Sequence, residues 1–526
     1  SSEKNSLRKF ARALNSIKMS NCVNVNLSNI INDPSIAFIN KIVHIDKNDY
    51  FQQVLSNSTS EASFLAVEKA LSTEDIFLIQ GPPGTGKTTV ITEIVCQILK
   101  KDSDAKILLA SQSNVAVDNV INKALKYLPN KRIIRLGRSE KISEESKNLM
   151  ISEQLNRWIE SVKQKSKQGL DDYLNLHKDI INKDIENIVE EWNKRLGKLD
   201  EFDEIFANDS SIIASTCLGI ASRNIVNDMD FDWVIIDEAA RATPLELLVP
   251  IVRGKKIILV GDHRQLPPVV KTNIDKIKLE EVGIKEYDLE KSLFEEFYSN
   301  MNDQTKLVLT SQFRMHPDIS KMIADIFYPN IDITTDIDIK QRQHMLEWKP
   351  KTIKWIDTSR CKDNMETSGE LGQSKKNNKE ASIILKELEN IESSYRKKNI
   401  SGISVSVISG YNEQKKLLNN LINPNDKNKW KNIKIIIDNV DAFQGSETDI
   451  TIYSLVRNNK KGKIGFLYDN RRLNVALSRG KNALIIVGNI NFAEKADSFR
   501  GNPFKDIIRF MKKNKRSCII EVYNEN

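Results

Sequence analysis

The chain has 526 residues, of which 40% are hydrophobic and 29% charged. That length exceeds one ordinary core and the balance is that of a globular protein, so roughly two or three domains are expected. The formal charge of +8, from 79 Lys and Arg against 71 Asp and Glu, permits a polyanionic partner without requiring one. Five cysteines, Cys22, Cys96, Cys217, Cys361 and Cys518, have no paired spacing. This argues against a zinc site or a disulfide framework and for a reducing, intracellular setting. No apolar run approaches the length of a membrane span, and no membrane association is expected.

Residues 1–55 read as a lead-in. Leu7, Phe10, Ala11, Leu14 and Ile17 share one helical face, ringed by Lys4, Arg8, Lys9, Arg12 and Lys18. The pattern predicts a basic helix docked on the core, and a transit peptide shares it. The chain opens on Ser1 rather than Met, as a trimmed sequence does.

A first α/β domain is expected over 56–300. The apolar run Ile76-Phe77-Leu78-Ile79 leads into Gly81-Pro82-Pro83-Gly84-Thr85-Gly86-Lys87-Thr88-Thr89. This is the spacing of a complete phosphate-binding loop. Glycines let backbone N–H groups turn toward phosphates, Lys87 neutralises β/γ charge, and Thr88 offers a hydroxyl to Mg²⁺. A helix predicted over 88–100 aims its N-terminal dipole at the same anion. Strands at 106–110, 132–135, 211–214, 233–236 and 256–260 alternate with helical pattern, including 115–128. Such alternation predicts a parallel sheet covered on both faces, which binds ligands at the carboxyl ends of its strands.

Residues 140–208 break the rhythm with long charge-rich helical pattern, Leu174, Ile181, Ile185, Ile188 and Trp192 recurring at helical steps. They predict an insertion, a pair of packed helices split near Gly169. Beyond it, Ile235-Ile236-Asp237-Glu238 ends a strand with two carboxylates, Asp237 placed to hold Mg²⁺ and Glu238 to polarise the attacking water. In Gly261-Asp262-His263-Arg264-Gln265-Leu266-Pro267-Pro268, Gln265 is the natural reporter of the γ-phosphate. A second alternation, within a second domain over 301–526, is expected to begin at 306–309. It continues at 403–408, 433–437, 449–453 and 483–487 without a second phosphate loop. The polar stretch 358–378 reads as a surface loop.

Three later strings complete the set: Gln312-Phe313-Arg314-Met315-His316-Pro317, Val440-Asp441-Ala442-Phe443-Gln444-Gly445-Ser446-Glu447 and Arg471-Arg472-Leu473-Asn474-Val475-Ala476-Leu477-Ser478-Arg479. With the earlier ones they resemble, in order, the motifs of superfamily 1 helicases. The branch is that of senataxin and the up-frameshift RNA helicase, and the match spans residues 75–490.

The resemblance implies two tandem RecA-like parallel-sheet domains with a helical insertion in the first. It also implies Mg²⁺ and ATP as cofactors, and movement from 5′ to 3′ on single-stranded nucleic acid. Arg314 and Arg479 would reach across the interdomain cleft to the γ-phosphate. Phe313 would stack on the base and Glu447 would accept a ribose hydroxyl proton. Ser113, Asn114, Val115, Ser215 and Thr216 resemble strand-tracking motifs, for which helix capping is the structural alternative. Val440 and Asp441, in the second of the later strings, join them as nucleic-acid residues. Lys271, Lys276, Lys278, Lys460, Lys461 and Lys463 would add a sequence-independent electrostatic term, although each lone Lys taken by itself reads as solvated surface.

A different class of function, an ATP-gated clamp or protein-remodelling switch that hydrolyses without unwinding, fits the same motifs. A small-molecule kinase does not fit the second domain and its arginines. Nothing in the motifs chooses DNA or RNA. Some relatives in the branch are fused to nucleases. No nuclease signature appears here, so a separate protein supplying targeting or nuclease function is an expected partner.

The chain departs from the family pattern in three places. Gln112 and Gly410 stand where Pro is usual, and Ser63 or Glu61 stands where a base-reading Gln is expected. Weak adenine selectivity follows. The roughly 75 residues before the loop are short for the β-barrel subdomain of several relatives.

Overall fold

The apolar runs assemble into two separate parallel sheets. The computed structural model describes residues 2–52, 55, 60–176, 183–196, 202–220, 226, 229–269, 290–369, 374–443, 446–498 and 501–525. These form two compact units. One comprises Ser1–Gln80, Lys87–Gly261 and Pro268–Leu307. The other comprises Gly81–Gly86, Asp262–Pro267 and Val308–Asn526.

The sheet of the first unit contains β1 (Ile76–Gln80), β2 (Ile107–Ser111), β3 (Ile133–Arg135), β4 (Ile212–Thr216), β5 (Phe231–Asp237), β6 (Gly254–Gly261) and β7 (Lys306–Val308). Their spatial order is β3-β4-β2-β5-β6-β1-β7. Every residue of β1 and β2 is buried, as helices on both faces require. Parallel register sets Gln80 beside Gly261. Only β6 therefore separates the strand that ends at Gln80 from the one that ends at Asp237, which brings the phosphate loop and the acidic pair to one edge of the sheet.

The lead-in helix α1 (Ser2–Lys18) docks on this core as expected. Ala13 is buried, with Phe10 and Ile17 packed beside it. Leu7 and Leu14 remain 64% and 45% exposed. Lys9 Nζ donates to the Leu218 carbonyl at 2.9 Å. The helices α2 (Lys87–Lys101) and α3 (Asn114–Leu125) follow β1 and β2 directly. The insertion supplies α4 (Ile151–Leu176), α5 (Lys183–Leu196) and α6 (Phe202–Asn208), and Trp158 of α4 lies 5.1 Å from Phe202 and 5.9 Å from Phe206, ring to ring.

Two expectations are corrected in this unit. Gly169 does not split the insertion: it sits inside α4, where a side chain would meet nothing within 4 Å, so an exposed glycine costs the helix only its intrinsic propensity. Of the periodic residues, Ile188 and Trp192 are 66% and 55% exposed. Ile181 and the side chains of Leu174 and Ile185 lie outside the described residues. The run at 306–309 does not open the second sheet, because Lys306–Val308 lies next to β1 in the first. A three-residue strand carries no signal of which edge it joins. Here Lys306 Nζ decides by binding the Tyr298 and Met301 carbonyls, at 3.0 and 2.8 Å, at the end of the preceding helix.

In the second unit a short parallel pair, β8 (Ser311–Gln312) and β9 (Thr334–Thr335), brackets the unit's first helix along the chain. The elements that follow are α7 (Pro317–Phe327), β10 (Ile353–Asp357), β11 (Thr367–Ser368), β12 (Lys375–Lys376), α8 (Asn378–Lys397), β13 (Ile403–Ser409), β14 (Ile433–Asn439), β15 (Thr448–Ser454), α9 (Asn470–Leu477), β16 (Gly480–Gly488) and β17 (Cys518–Val522). The main sheet runs β14-β13-β15-β16-β10-β17, with each neighbouring pair parallel.

Strands β10 and β17 escape a periodicity reading because Lys354 interrupts the apolar pattern of one and Glu521 that of the other. The Lys354 amine is buried and lies 3.2 Å from Glu387 and 3.0 Å from Glu521. Residues 358–378 are not a plain surface loop either. They carry the β11–β12 hairpin, and Glu366 accepts from Arg457 Nε and the Asn458 N–H, both at 2.9 Å. Both units are RecA-like parallel-sheet α/β folds, the first with a helical insertion.

Candidate nucleotide site and its supporting networks

Gly84 and Gly86 adopt φ of +77° and +78°, which glycine alone enters without penalty. Space makes the same demand at Gly84, where a Cβ would fall 2.7 Å from Arg314 Cβ. The Gly84 carbonyl accepts from the Phe313 N–H at 2.9 Å, and Thr85 Oγ1 donates to the Pro82 carbonyl at 2.8 Å. These contacts shape Gly81–Gly86 into a cradle within the second unit.

Lys87 opens α2, so the helix begins at the residue that would meet the phosphate. The first turn of α2 is clamped by residues that the motif reading missed. Lys123 Nζ donates to Thr89 Oγ1 at 2.6 Å and Gln52 Nε2 to the Thr89 carbonyl at 2.7 Å. Fully buried Glu93 accepts from the Phe51 and Gln52 N–H groups at 2.9 and 3.1 Å. Burial lowers the Lys123 pKa. Ser63, at the position of the missing Gln, is buried with its hydroxyl 3.1 Å from that of Ser60.

At the end of β5 the Asp237 carboxyl is pushed up to about 7, first by burial and then by the charge of Glu238, with Lys87 pulling the other way. Glu238 has φ of +53°, an uncommon conformation for a side-chain-bearing residue, and its N–H donates to Asp237 Oδ1 at 2.8 Å. Its carboxylate lies 3.8 Å from Arg241 Nη1. The Thr88 hydroxyl and the Asp237 carboxylate are hard oxygen donors of the kind Mg²⁺ takes. A buried carboxylate that resists ionisation gains from an added cation, so these residues fit the ion.

Gln265 belongs to the second unit and is buried there. Its Nε2 donates to Asp262 Oδ2 at 2.7 Å, and the same oxygen accepts the Tyr328 hydroxyl at 2.6 Å. Asn474 Nδ2 donates to the Tyr328 oxygen and to the Arg264 carbonyl, both at 2.8 Å. Asn474 Oδ1 is buried without a hydrogen-bond partner, at a cost of roughly 1–3 kcal/mol, and the two bonds donated by Nδ2 fix which way the amide points.

The two arginines differ sharply. Arg314 is ion-paired to Glu447 at 2.8 Å and also reaches the Ser478 carbonyl at 3.4 Å. The two residues expected to contact phosphate and ribose thus hold each other. Arg342 secures this loop, donating to the Arg314 carbonyl at 2.6 Å and that of Phe313 at 3.2 Å. Arg479 is only 2% exposed and donates to the Val475 and Ser446 carbonyls at 2.8 and 3.1 Å.

Among the strand-tracking candidates, Ser113 caps α3 by accepting from the Ala116 N–H at 3.2 Å. Asn114 Oδ1 accepts from Arg135 at 2.8 Å. Ser215 is fully buried and donates to the Leu136 carbonyl at 3.3 Å, while Thr216 Oγ1 accepts from the Gly219 N–H at 3.1 Å. Val115 is 63% exposed and Val440 3%. Asp441 lies 3.6 Å from Arg472. Gln112 donates to Glu246 at 3.2 Å. Lys271, Lys276, Lys278, Gln444 and Gly445 lie outside the described residues.

Two family signatures, each described as an AAA domain, match residues 57–273 and 289–491. The DNA polymerase alpha-associated DNA helicase A of Saccharomyces cerevisiae is 31% identical over 89% of this chain and 71% of its own length. An uncharacterised ATP-dependent helicase of Methanocaldococcus jannaschii is 28% identical over 85% of this chain and 70% of its own. The ATP-dependent helicase NAM7 of Saccharomyces cerevisiae is 33% identical over 83% of this chain and 42% of its own. Among the described residues no helix is long and apolar enough to cross a membrane.

Proposed function

Because this chain belongs to the superfamily 1 helicases, in their Upf1-like branch, we propose that it couples ATP hydrolysis to 5′-to-3′ movement along single-stranded nucleic acid. The observation that carries this reading is the shared sheet edge. A complete phosphate loop leaves β1, and the Asp237-Glu238 pair ends β5, one strand removed.

Gly81, Gly84, Thr85 and Gly86 present backbone N–H groups to the phosphates, Pro82 and Pro83 hold the loop's turn, and Lys87 neutralises phosphate charge. Thr88 and Asp237 would hold Mg²⁺, which when bound neutralises β/γ-phosphate charge. Thr89 fixes the start of α2 through its bonds to Lys123 and Gln52. Glu238 orients and deprotonates water, and Gln265 reports the γ-phosphate. Arg314 and Arg479 are the cations that stabilise transition-state charge. Nucleotide competes with the Arg314–Glu447 pair, since Arg314 is drawn to phosphate and Glu447 to ribose, while Phe313 stacks on the base.

The nucleic-acid track runs over exposed Val115, the first N–H groups of α3 and the turn at Thr216. Ser113, Asn114 and Ser215 set that backbone through capping and buried bonds, and Val440 and Asp441 contribute the second unit's contacts. An intracellular protein partner supplies targeting or nuclease function; the yeast relative is named for its association with DNA polymerase alpha.

The test is steady-state ATP hydrolysis with matched single-stranded RNA and DNA, together with displacement of a 5′-tailed duplex. Strand-stimulated turnover with displacement supports the reading. Stimulation without displacement from either tail supports a clamp instead.

A further inference from the structure

Gln265 can report a γ-phosphate only if its amide is held in one orientation, and the second unit contains a built device for holding it. We propose that Tyr328 is a positioning residue that locks the Gln265 amide and ties it to the helix leading to Arg479. The inference rests on the reading of Gln265 given above.

A planar amide with its nitrogen fixed has its oxygen fixed as well. Gln265 Nε2 is aimed at Asp262 Oδ2, so Oε1 faces the opposite way. Asp262 is itself held from two sides. Its Oδ1 accepts the Arg264 N–H at 3.1 Å, and its Oδ2 accepts the Tyr328 hydroxyl at 2.6 Å. The Tyr328 proton has no competing destination, because the hydroxyl oxygen is occupied as an acceptor by Asn474 Nδ2 at 2.8 Å. Burial and the adjacent Asp262 raise the phenol far above its ordinary pKa, so it remains a donor at every working pH.

The far end of the chain of bonds reaches the arginine. Asn474 is fully buried on α9, and the carbonyl of its neighbour Val475 accepts from Arg479 Nε at 2.8 Å. Gln265, Asp262, Tyr328, Asn474 and Val475 thus link the reporter amide to the guanidinium through four hydrogen bonds and one peptide unit. Removing the phenol oxygen breaks two of the four. It leaves Asp262 short of a donor and the Asn474 amide short of an acceptor in a site where water cannot easily replace them. Ring volume is unchanged in Tyr328→Phe, so packing against α7 is kept.

The experiment uses the full chain and four proteins: parent, Tyr328→Phe, Gln265→Ala and the double variant. Turnover at saturating poly(U) or poly(dT), KM for Mg-ATP, strand affinity without nucleotide, and thermal midpoint are measured on each. Tyr328→Phe is expected to lower kcat about tenfold with KM and strand affinity within about twofold. The double variant is expected to match Gln265→Ala, because a residue acting through Gln265 has nothing left to position. A Tyr328→Phe enzyme at parent kcat, or losses that multiply in the double variant, overturn the inference while leaving the reading of Gln265 intact. Parent-level turnover in Gln265→Ala overturns that reading itself. Should Tyr328→Phe unfold, Asn474→Ala breaks the same link from the other side. It is then required to show the same absorption by Gln265→Ala, and multiplying losses there overturn the proposal equally.

Discussion

In the first unit the acidic pair follows the buried run Val234-Ile235-Ile236, and Asp237 is left to resist ionisation in a dry setting. In the second unit the buried Glu380 carboxyl is likewise pushed up, to about 8, but it accepts from the Ser454 hydroxyl and the Val456 N–H, and the candidate site residues are paired in the same way. Arg479 is held by backbone carbonyls, Arg314 by Glu447, and Gln265 by a carboxylate that is itself held by tyrosine. The first arrangement leaves coordination capacity for an incoming cation. The second satisfies its groups internally, so a ligand must displace an existing partner. The acidic pair is therefore built to bind, and the paired side chains of the second unit to respond.

The comparison breaks most visibly at Glu238. Glu238→Gln is expected to cut strand-stimulated turnover by roughly 10²-fold or more while Mg-ATP still binds, since the base alone is lost. Turnover near the parent rate, measured alongside nucleotide affinity, would remove Glu238 from the first unit's chemistry.

The arginines come next. Arg479→Ala and Arg314→Ala are each expected to lower turnover by about 10²-fold with strand affinity spared. Only Arg479→Ala should also lower the thermal midpoint, because its guanidinium ties the Val475 and Ser446 carbonyls together. Equal midpoints for the two variants would show that the internal bonds of Arg479 matter no more than the half-exposed pair of Arg314.

Lys354 tests internal satisfaction away from the site. Lys354→Ala leaves Glu387, whose side chain is 9% exposed, without its cation. Denaturant unfolding of the second unit should lose about 3 kcal/mol, with Lys354→Met losing less because its stem still fills the space. Identical losses from both would mean that the stem contributes nothing and that the whole cost lies in the lost charge pairing.

The smallest effect concerns the base. Ser63 is bonded to Ser60 where a base-reading Gln is expected, so stacking on Phe313 carries most recognition. GTP is expected to support strand-stimulated turnover within about tenfold of ATP. Steady-state rates with each triphosphate decide it, and a preference for ATP of a thousandfold would place a polar edge contact in the first unit.

What could be read from the sequence was what lies contiguous in it. The phosphate loop, the acidic pair and the strands of the first sheet are each encoded within a few residues, where spacing alone constrains the backbone. Tyr328 and Asn474 were not legible as partners, because they stand 146 residues apart and Tyr328 stands 66 from Asp262. Asn474 lies inside a quoted motif, yet nothing local says that its amide turns toward a phenol. Arg342 escaped for the same reason, since its partners are backbone carbonyls that any sequence supplies. In β10 the obstacle was chemical: a lysine within an apolar run argues against a buried strand until two glutamates from elsewhere are brought to it. The allegiance of β7 was set by an amine capping a helix end, which no hydrophobic pattern records.

The strands that flank the helical insertion, β3 and β4, are next-door neighbours at the rim of their sheet, with Arg135 opposite Ala214. Because the pair is parallel, the intervening stretch leaves at the carboxyl end of β3 and re-enters at the amino end of β4, and on the way it buries Leu136, Ile151, Phe206 and Ala207 in the core. A change at either end of that stretch therefore reaches the core, whereas one confined to the exposed turns around Gly169 leaves the inner strands in register. The far part of α4 is the natural graft site for a fluorescent reporter or an affinity module.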